Sequence, residues 1–479
     1  PFIDDLPFFA HQKRVILGNC GCYDPESIDE YIARGGYRAF IKAIRHYTYE
    51  EVCDIIEKSG LRGRSGGGYL TGLKWKQALN TASSSRYVVC NAKESDPGAF
   101  TDRLILESDP HRLVEGIAIA SYAIGASNAI VFFRRGSEHA LDRLQKAIDS
   151  ARDYGILGHN IFSSGYKLDI IIRKEPGAFV CGEETALISS LEGKRGMPKL
   201  KPPYPTSSGL FGKPTVINNV ETLMNVPVIM QNGPEWYRTL GTEMSPGTKV
   251  FAVAGKGRFS GVIEVEMGTS FRTILEDIAD GIKDGKKLKA IQVGGSSGSF
   301  ITPDNLDLTV EFEAMKEQGL GMGAGGFVII DEDTCIVDLV RYYMEFMRNE
   351  SCGKCIPCRE GTGRMLEILQ SVIRKPSDDD SGTTLERFKG VMQLETIASV
   401  MKDTSLCGLG QTAPNPFLSA LKNFREEFEE HIFDRKCRAN VCRGLRTFSI
   451  DVDKCTGCTV CASKCPVNAI YGTRLQPFF

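Results

Sequence analysis

The period of apolar positions changes twice along the 479 residues, and the changes divide the chain. From about 36 to 245, stretches with apolar residues three and four apart alternate with short apolar runs. Together with a short helix over 27–33 ahead of this region, they predict helices over 49–59, 112–124 and 137–152, and strands over 86–91, 128–133 and 168–173. Helices alternating with buried strands predict an α/β, Rossmann-like sheet. From about 246 to 330, F-A-V-A-G and V-I-E-V-E flank the turn K-G-R-F-S-G; a helix is predicted over 271–280, and I-Q-V-G-G and F-V-I-I follow. Two strands, a helix and two strands predict a β-grasp (ubiquitin-like) module. Between 331 and 435 the period is helical over 336–349, 364–370, 385–401 and 417–433, which predicts a small bundle. Residues 1–35 read as an N-terminal arm, K-P-S-D-D-D-S-G (375–382) as an exposed loop, and 436–479 as a separate α+β module.

The most apolar stretch, 114–133, contains Glu115, Ser121, Tyr122 and Asn128, so it reads as a buried helix–strand unit and not as a membrane span. The formal net charge is −2 and basic residues are scattered, which argues against a nucleic-acid or membrane-surface partner. No signal-peptide pattern follows Pro1.

Cysteine usage changes the picture. Sixteen Cys are too sparse for a disulfide scaffold, and seven of them fall in two runs with metal spacing. This predicts metal binding in a reducing, cytoplasmic compartment. The second run, Cys455, Cys458, Cys461 and Cys465 before a Pro, is the C-x2-C-x2-C-x3-C-P ligand run of a bacterial ferredoxin, so 436–479 is expected to be a ferredoxin-like module. The first, S-C-G-K-C-I-P-C-R-E-G, sets Cys352, Cys355 and Cys358 at a pitch that serves three corners of a 4Fe–4S cluster or, on spacing alone, a zinc ion. Cys407, between Gly and Pro breakers in S-L-C-G-L-G-Q-T-A-P-N-P, is the candidate fourth ligand. His431, Cys437 and Cys442 make three-quarters of a zinc site, with Cys335 as the speculative fourth ligand; the alternative is a capping His with spare thiols. Cys53, Cys90 and Cys181 sit in apolar or mixed surroundings and read as inert buried thiols.

Four further stretches carry candidate chemistry. G63-R-S-G-G-G68 lets backbone N–H groups approach an anion, with Arg62, Arg64 and Lys74 nearby. Asn91, Glu94 and Asp96, in N-A-K-E-S-D-P-G after a strand, offer acceptors for ribityl or ribose hydroxyls. G-A-F-V-C-G-E-E-T-A-L places Gly182, Glu183 and Glu184 at a helix start, where carboxylates also complement the dipole. K-P-P-Y-P followed by I-N-N-V-E-T supplies Lys201, Tyr204, Asn218 and Asn219.

As a set these motifs closely resemble the flavoprotein subunit of NADH:quinone oxidoreductase (the 51-kDa-like subunit of complex I) and its soluble relatives, over about residues 35–435. The resemblance implies an SLBB-like identity for the 246–330 module. It implies FMN held by Gly63, Lys74, Asn91, Glu94, Gly182, Glu183, Asn218 and Asn219, with Arg64, Gly66, Gly67, Gly68, Lys93 and Phe179 as further cofactor-binding residues. It implies NAD(H) or NADP(H) stacked on the flavin, with adenine between Tyr69 and Tyr204, diphosphate on Lys201 and ribose on Glu184. Glu94 and Asp96 would lie near the nicotinamide, and hydride transfer at FMN calls for no catalytic side chain. It also assigns a 4Fe–4S cluster to Cys352, Cys355, Cys358 and Cys407. Three positions depart from the family: Lys93 replaces the usual Asp, Ser95 the usual Gly, and Gln77 an aromatic. The more positive site keeps NADP(H) open.

The ferredoxin run lies beyond the usual end of the respiratory subunit. It resembles the extension of diaphorase subunits in soluble NAD(P)-linked hydrogenases, particularly the electron-bifurcating type. That resemblance implies as partners a 2Fe–2S thioredoxin-like subunit, a catalytic hydrogenase or similar iron–sulfur subunit, and ferredoxin. The diaphorases of NAD-linked formate dehydrogenases and of respiratory complexes are the alternatives.

Overall fold

The computed structural model describes residues 6–174, 177–375, 381–446 and 448–479. Four strands, β1 (Tyr87–Ala92), β2 (Asn128–Phe133), β3 (Asp169–Lys174) and β4 (Thr215–Asn219), form a parallel sheet in the order β3-β2-β1-β4. Alternation along β1 sends Val88, Cys90 and Ala92 to one face and Val89 to the other. The first face packs on the helices Arg38–His46, Tyr49–Lys58, Pro110–Ala123 and Val220–Asn232 in the largest core. Cys53, Cys90 and Cys181 are all buried, as expected. The chain runs outward from β1 to β3 and then returns to β4 on β1's other side. The gap at the carboxyl ends of β1 and β4 is therefore a topological switch point, where open parallel sheets bind ligands. Asn91 and Asn219 face each other there in register.

A second, mixed sheet contains β5 (Thr248–Gly255), β6 (Gly261–Glu266), β7 (Leu288–Val293), β8 (Ser299–Ile301) and β9 (Gly326–Asp331), in the order β6-β5-β9-β7-β8. Its β5 and β9 are paired in parallel and the other pairs are antiparallel. The helix expected over 271–280 is a single α-turn, Phe271–Thr273, followed by a π-helical turn, Ile274–Ile278. The wide turn lets Ile274, Leu275 and Ile278 all reach the core.

The third region is a bundle of Ile336–Glu350, Ile356–Ile373, Ser381–Thr404 and Asn415–Asn423. Two of its expected helices differ. The one expected over 364–370 starts at Ile356, so Cys358 lies in its first turn. The one expected over 417–433 breaks at Phe424 (φ −135°) and resumes as Arg425–Glu429 and a π-helical turn, Glu430–Asp434, whose extra residue per turn directs His431 inward. Of the loop expected over 375–382, residues 376–380 lie outside the described residues, and Ser381 opens a helix. Residues 1–5 of the expected arm also lie outside them.

In the last module the described residues form short helices, Arg443–Leu445 and Val460–Lys464, without a strand. A single ferredoxin run supplies one half of a pseudo-symmetric fold whose strands pair between halves. The chain end instead folds back, with Tyr471 and Phe479 exchanging backbone bonds and Leu475 N–H donating to Gly457 O at 3.0 Å. No helix among the described residues is long and apolar enough to cross a membrane.

Candidate functional site

At the switch point lies a cleft of about 530 Å3. Of the residues singled out in the sequence, Gly67, Asn91, Lys93, Glu94, Asp96, Phe179, Gly182, Glu183, Glu184, Lys201 and Asn219 line it. They arrive from loops far apart in sequence because β1 and β4 end there and the Glu184–Leu191 helix begins there.

Each is held by identifiable bonds. Asn91 donates from Nδ2 to Gly182 O at 3.0 Å, while its Oδ1 is buried without a partner. An orphaned buried acceptor at a cleft costs about 1–3 kcal/mol unless a ligand donates to it, so this atom marks the place of a polar ligand group. Glu183 caps its helix by accepting the N–H groups of Thr185 and Ala186 at 2.8 and 3.0 Å. Glu184 pairs with Lys74 and, at 3.3 Å, with Lys201. Burial opposes its charge, but the two ammonium groups hold its carboxyl below the ordinary range. Asp96 accepts the Ser296 N–H at 2.8 Å and so joins the first sheet's loop to the second sheet. Burial is the main reason its carboxyl is pushed up to about 6. Lys93 donates to Ser95 Oγ at 3.0 Å.

The Gly-rich loop divides. Gly66 has φ +105°, and a Cβ there would sit 2.9 Å from Gly323 Cα, so only glycine permits the loop to touch the second sheet's Gly-rich loop. Gly67 has open space where its Cβ would be. Arg64 turns away from the cleft and is buried, donating to Thr248 O (2.9 Å), Pro246 O (2.6 Å) and Tyr237 Oη (3.0 Å). Gly63 closes the loop through its N–H to Tyr69 O, and Gly68 takes the left-handed φ of +59°. Asn218 is buried and accepts the Trp75 indole N–H at 2.9 Å. Tyr69 and Tyr204 are exposed and outside the cleft lining, and Gln77 donates to the Tyr69 hydroxyl at 2.9 Å.

Sequence reasoning missed Asp102, Gly294, Ser297, Gly323, Ala324 and Met347, which also line the cleft. The Gly-rich strings around 294–298 and 321–326 are the signal that was there to find. Asp102 gives no such signal, since it reads as an ordinary acid in the first turn of the helix Thr101–Ser108.

The candidate metal-ligating cysteines separate into three sites. Cys352, Cys355, Cys358 and Cys407 line one small cavity, bringing the distant fourth thiol to the local three. Val180 and Leu409 line both this cavity and the cleft, so single side chains separate them. Cys335, His431, Cys437 and Cys442 are all buried, with ligand atoms within 4.8 Å of one another. Tetrahedral bonds of about 2.0–2.3 Å place ligand atoms roughly 3.5–4 Å apart, so this set matches one metal ion and not a cluster. In the last module, Cys465 and Cys455 accept backbone N–H groups from Ala469 (3.2 Å) and Phe478 (3.4 Å), as cluster thiolates do. Cys458 and Cys461 are exposed.

Comparison with known proteins agrees with this division. The Nuo51 FMN-binding domain matches residues 56–228, the NADH-ubiquinone oxidoreductase-F iron-sulfur binding region residues 338–431, and a 4Fe-4S binding domain residues 448–471. The NADP-reducing hydrogenase subunit HndC of Solidesulfovibrio fructosivorans is 49% identical over 466 residues, 97% of this chain and 93% of that one. An NADH-quinone oxidoreductase subunit of Rhizobium meliloti is 41% identical over 423 residues, 88% of this chain and 98% of that one. Among solved structures, the NAD+-reducing NiFe-hydrogenase in its H2-reduced state matches with a TM-score of 0.75 at 31% identity, over 88% of this chain and 67% of that one. The chain belongs to the 51-kDa-like family of FMN- and iron–sulfur-binding NAD(P)H diaphorase subunits.

Proposed function

We propose that this chain is the diaphorase subunit of a multi-subunit, NAD(P)-linked hydrogenase, exchanging electrons with ferredoxin in an electron-bifurcating complex in the cytoplasm. The observation that carries the electron path is the wall shared by the cleft and the four-cysteine cavity, formed by Val180 and Leu409. Bound in the cleft, FMN would supply hydride acceptance and one-electron donation, and Cys352, Cys355, Cys358 and Cys407 would hold the 4Fe–4S cluster that takes those electrons.

The chain's own residues have separable tasks in this reading. Asn91 Oδ1, Gly67, Gly182 and Asn219 hold the flavin's polar tail, with Lys74 near its phosphate. Arg64, Gly63, Gly66 and Gly68 shape the loop. Asn218 and the helix-capping Glu183 fix the walls, and Phe179 covers one side. Glu94, Asp96 and Lys93 border the nicotinamide, Glu184 and Lys201 take ribose and diphosphate, and the exposed Tyr69 and Tyr204 receive the adenine.

The finer assignments belong to the same proposal. We read the second sheet as an SLBB-like β-grasp module, supported by its strand order with a parallel β5–β9 pair. We assign zinc to Cys335, His431, Cys437 and Cys442, and a second 4Fe–4S cluster to Cys455, Cys458, Cys461 and Cys465 in a ferredoxin-like module. The domain divisions follow at about 36, 246, 331 and 436. A 2Fe–2S thioredoxin-like subunit and a catalytic iron–sulfur subunit complete the complex.

The hydrogenase reading is favoured over the respiratory one because the alignment with HndC takes in 97% of the chain, against 88% for the R. meliloti quinone-reductase relative. An NAD-linked formate dehydrogenase is the remaining alternative. Identifying the catalytic subunit that co-purifies with the chain tests the proposal: a hydrogenase supports it and a formate dehydrogenase or membrane-arm subunit replaces it. An NADPH:viologen rate roughly a hundredfold below the NADH rate restricts the donor to NADH.

A further inference from the structure

Two hollows meet at one pair of carboxyls. The flavin cleft and a second hollow, behind the start of the helix Thr101–Ser108, share Glu94 and Asp102 in their linings. The second hollow has about 10 Å3, on the order of the space one water molecule needs. Its other polar residues are Arg103, Arg134 and Ser137. Arg103 is exposed and the other two half-buried, so this hollow lies toward the surface.

The two carboxyls are held differently. Glu94 accepts the N–H groups of Asp102 (3.0 Å) and Arg103 (3.1 Å) and the Thr101 hydroxyl (2.9 Å), a cradle that suits an anion at a helix start. Asp102, by contrast, accepts from the Asn219 amide at 2.8 Å. Facing it are the Glu94 carboxyl from the β1 loop, Glu221 from the helix Val220–Asn232, the buried Cys90 thiol of β1, and Lys249 of β5. Lys249 is already committed to Glu221 in a buried pair at 2.5 Å. Burial first, then the Glu94 and Glu221 charges, push the Asp102 carboxyl well above its ordinary range. Its surroundings thus favour the proton-bound form of the Asp102 carboxyl.

We infer that Asp102 carries the proton that must pass between the flavin cleft and solvent. The inference rests on the NAD(P)H–FMN reading above. Oxidation of one NAD(P)H to NAD(P)+ yields two electrons and one proton. The clusters carry only the electrons, so the proton leaves by another route. A neutral carboxyl accepts a proton at one oxygen and releases one from the other, here toward the hollow between Arg103, Arg134 and Ser137. Reduction of NAD(P)+ draws the proton in along the same route.

The test uses the full chain with its cofactors. Asp102→Asn keeps the side chain's shape and removes its exchangeable acid proton. In stopped flow with a pH-indicating dye, proton release after NADH addition should slow at least about tenfold and show a larger solvent deuterium isotope effect. Infrared spectra of the oxidised wild type should show a protonated carboxyl band that shifts in deuterium oxide and is absent from Asp102→Asn. Should that variant not fold, Ser137→Val, which fills the outer hollow without touching the cleft, should slow proton release likewise. Wild-type release rates and isotope effects in these variants would overturn the relay, as would absence of the band. FMN content and NADH-dependent bleaching, measured on the same samples, report separately on the underlying reading; a wild type without FMN would overturn both.

Discussion

Cys335 Sγ lies 3.3 Å from His431 Nε2, and both atoms lie within 3.6 Å of Cys442 Sγ. On its other side His431 Nδ1 is 2.6 Å from Glu427 O, a carbonyl that can only accept, so Nδ1 carries a proton and Nε2 is turned toward the cysteine sulfurs. The four groups are embedded in the core of the helical bundle.

About one zinc per chain is therefore expected by metal analysis, in addition to iron. His431→Ala or Cys437→Ser should lose it and lower the Tm by several degrees, because the ligands join the bundle to the segment entering the 4Fe-4S binding region. Purified protein without zinc would contradict the assignment.

Cys407→Ser should remove one 4Fe–4S cluster, leaving about four of some eight irons per chain, while FMN content stays at the wild-type level. Iron analysis alongside flavin fluorescence after denaturation checks this. An unchanged iron content would place the fourth ligand elsewhere.

Lys93 lines the cleft at a position where the motif resemblance implies an Asp. Lys93→Asp exchanges a positive charge for a negative one and should make the flavin harder to reduce. The expected shift of its midpoint potential is on the order of 30–60 mV more negative, equivalent to ~1.4–2.8 kcal/mol for a two-electron couple. Spectroelectrochemical titration measures it, and a shift to more positive values would refute the placement.

The Asp96 carboxyl titrates near 6 in the folded protein against an ordinary 3.8. Between those values the folded chain binds more protons than the unfolded one, so stability falls as pH rises from about 4 to about 6. The contribution is complete below the lower value and lost above the upper one. Asp96→Asn should flatten this part of the profile of urea midpoint against pH.

The legible parts of this protein were those coded by local spacing. The Cys352, Cys355 and Cys358 run, the ferredoxin run and the parallel strands β1 to β3 all announce themselves within a dozen residues. β4 did not, because Thr215–Asn219 is short and reads as part of a motif. Asp102, and the Val180–Leu409 wall, were illegible for a different reason. Their roles exist only where the sheet's return to β4 brings distant segments together, and each reads locally as an ordinary helix or core residue. Arg64 shows the converse: a loop arginine in a Gly-rich motif suggests an anion ligand, yet here it is a buried strut against Thr248 and Pro246. His431 was legible as a candidate ligand from its spacing to Cys437 and Cys442, but the π-helical turn that directs it inward was not, because no helical period reveals its extra residue.

Hydride entry at the switch-point cleft and electron exit through the adjoining cysteine site are the two halves of the proposed mechanism. Anaerobic titration of the purified chain with NADH, followed by flavin absorbance and low-temperature electron paramagnetic resonance together, tests them most directly. Bound FMN should bleach and reduced 4Fe–4S signals should grow with it, of which Cys407→Ser removes the component from the Cys352, Cys355, Cys358 and Cys407 site while bleaching persists. A chain whose flavin does not bleach, or whose cluster signal survives Cys407→Ser intact, would contradict this mechanism.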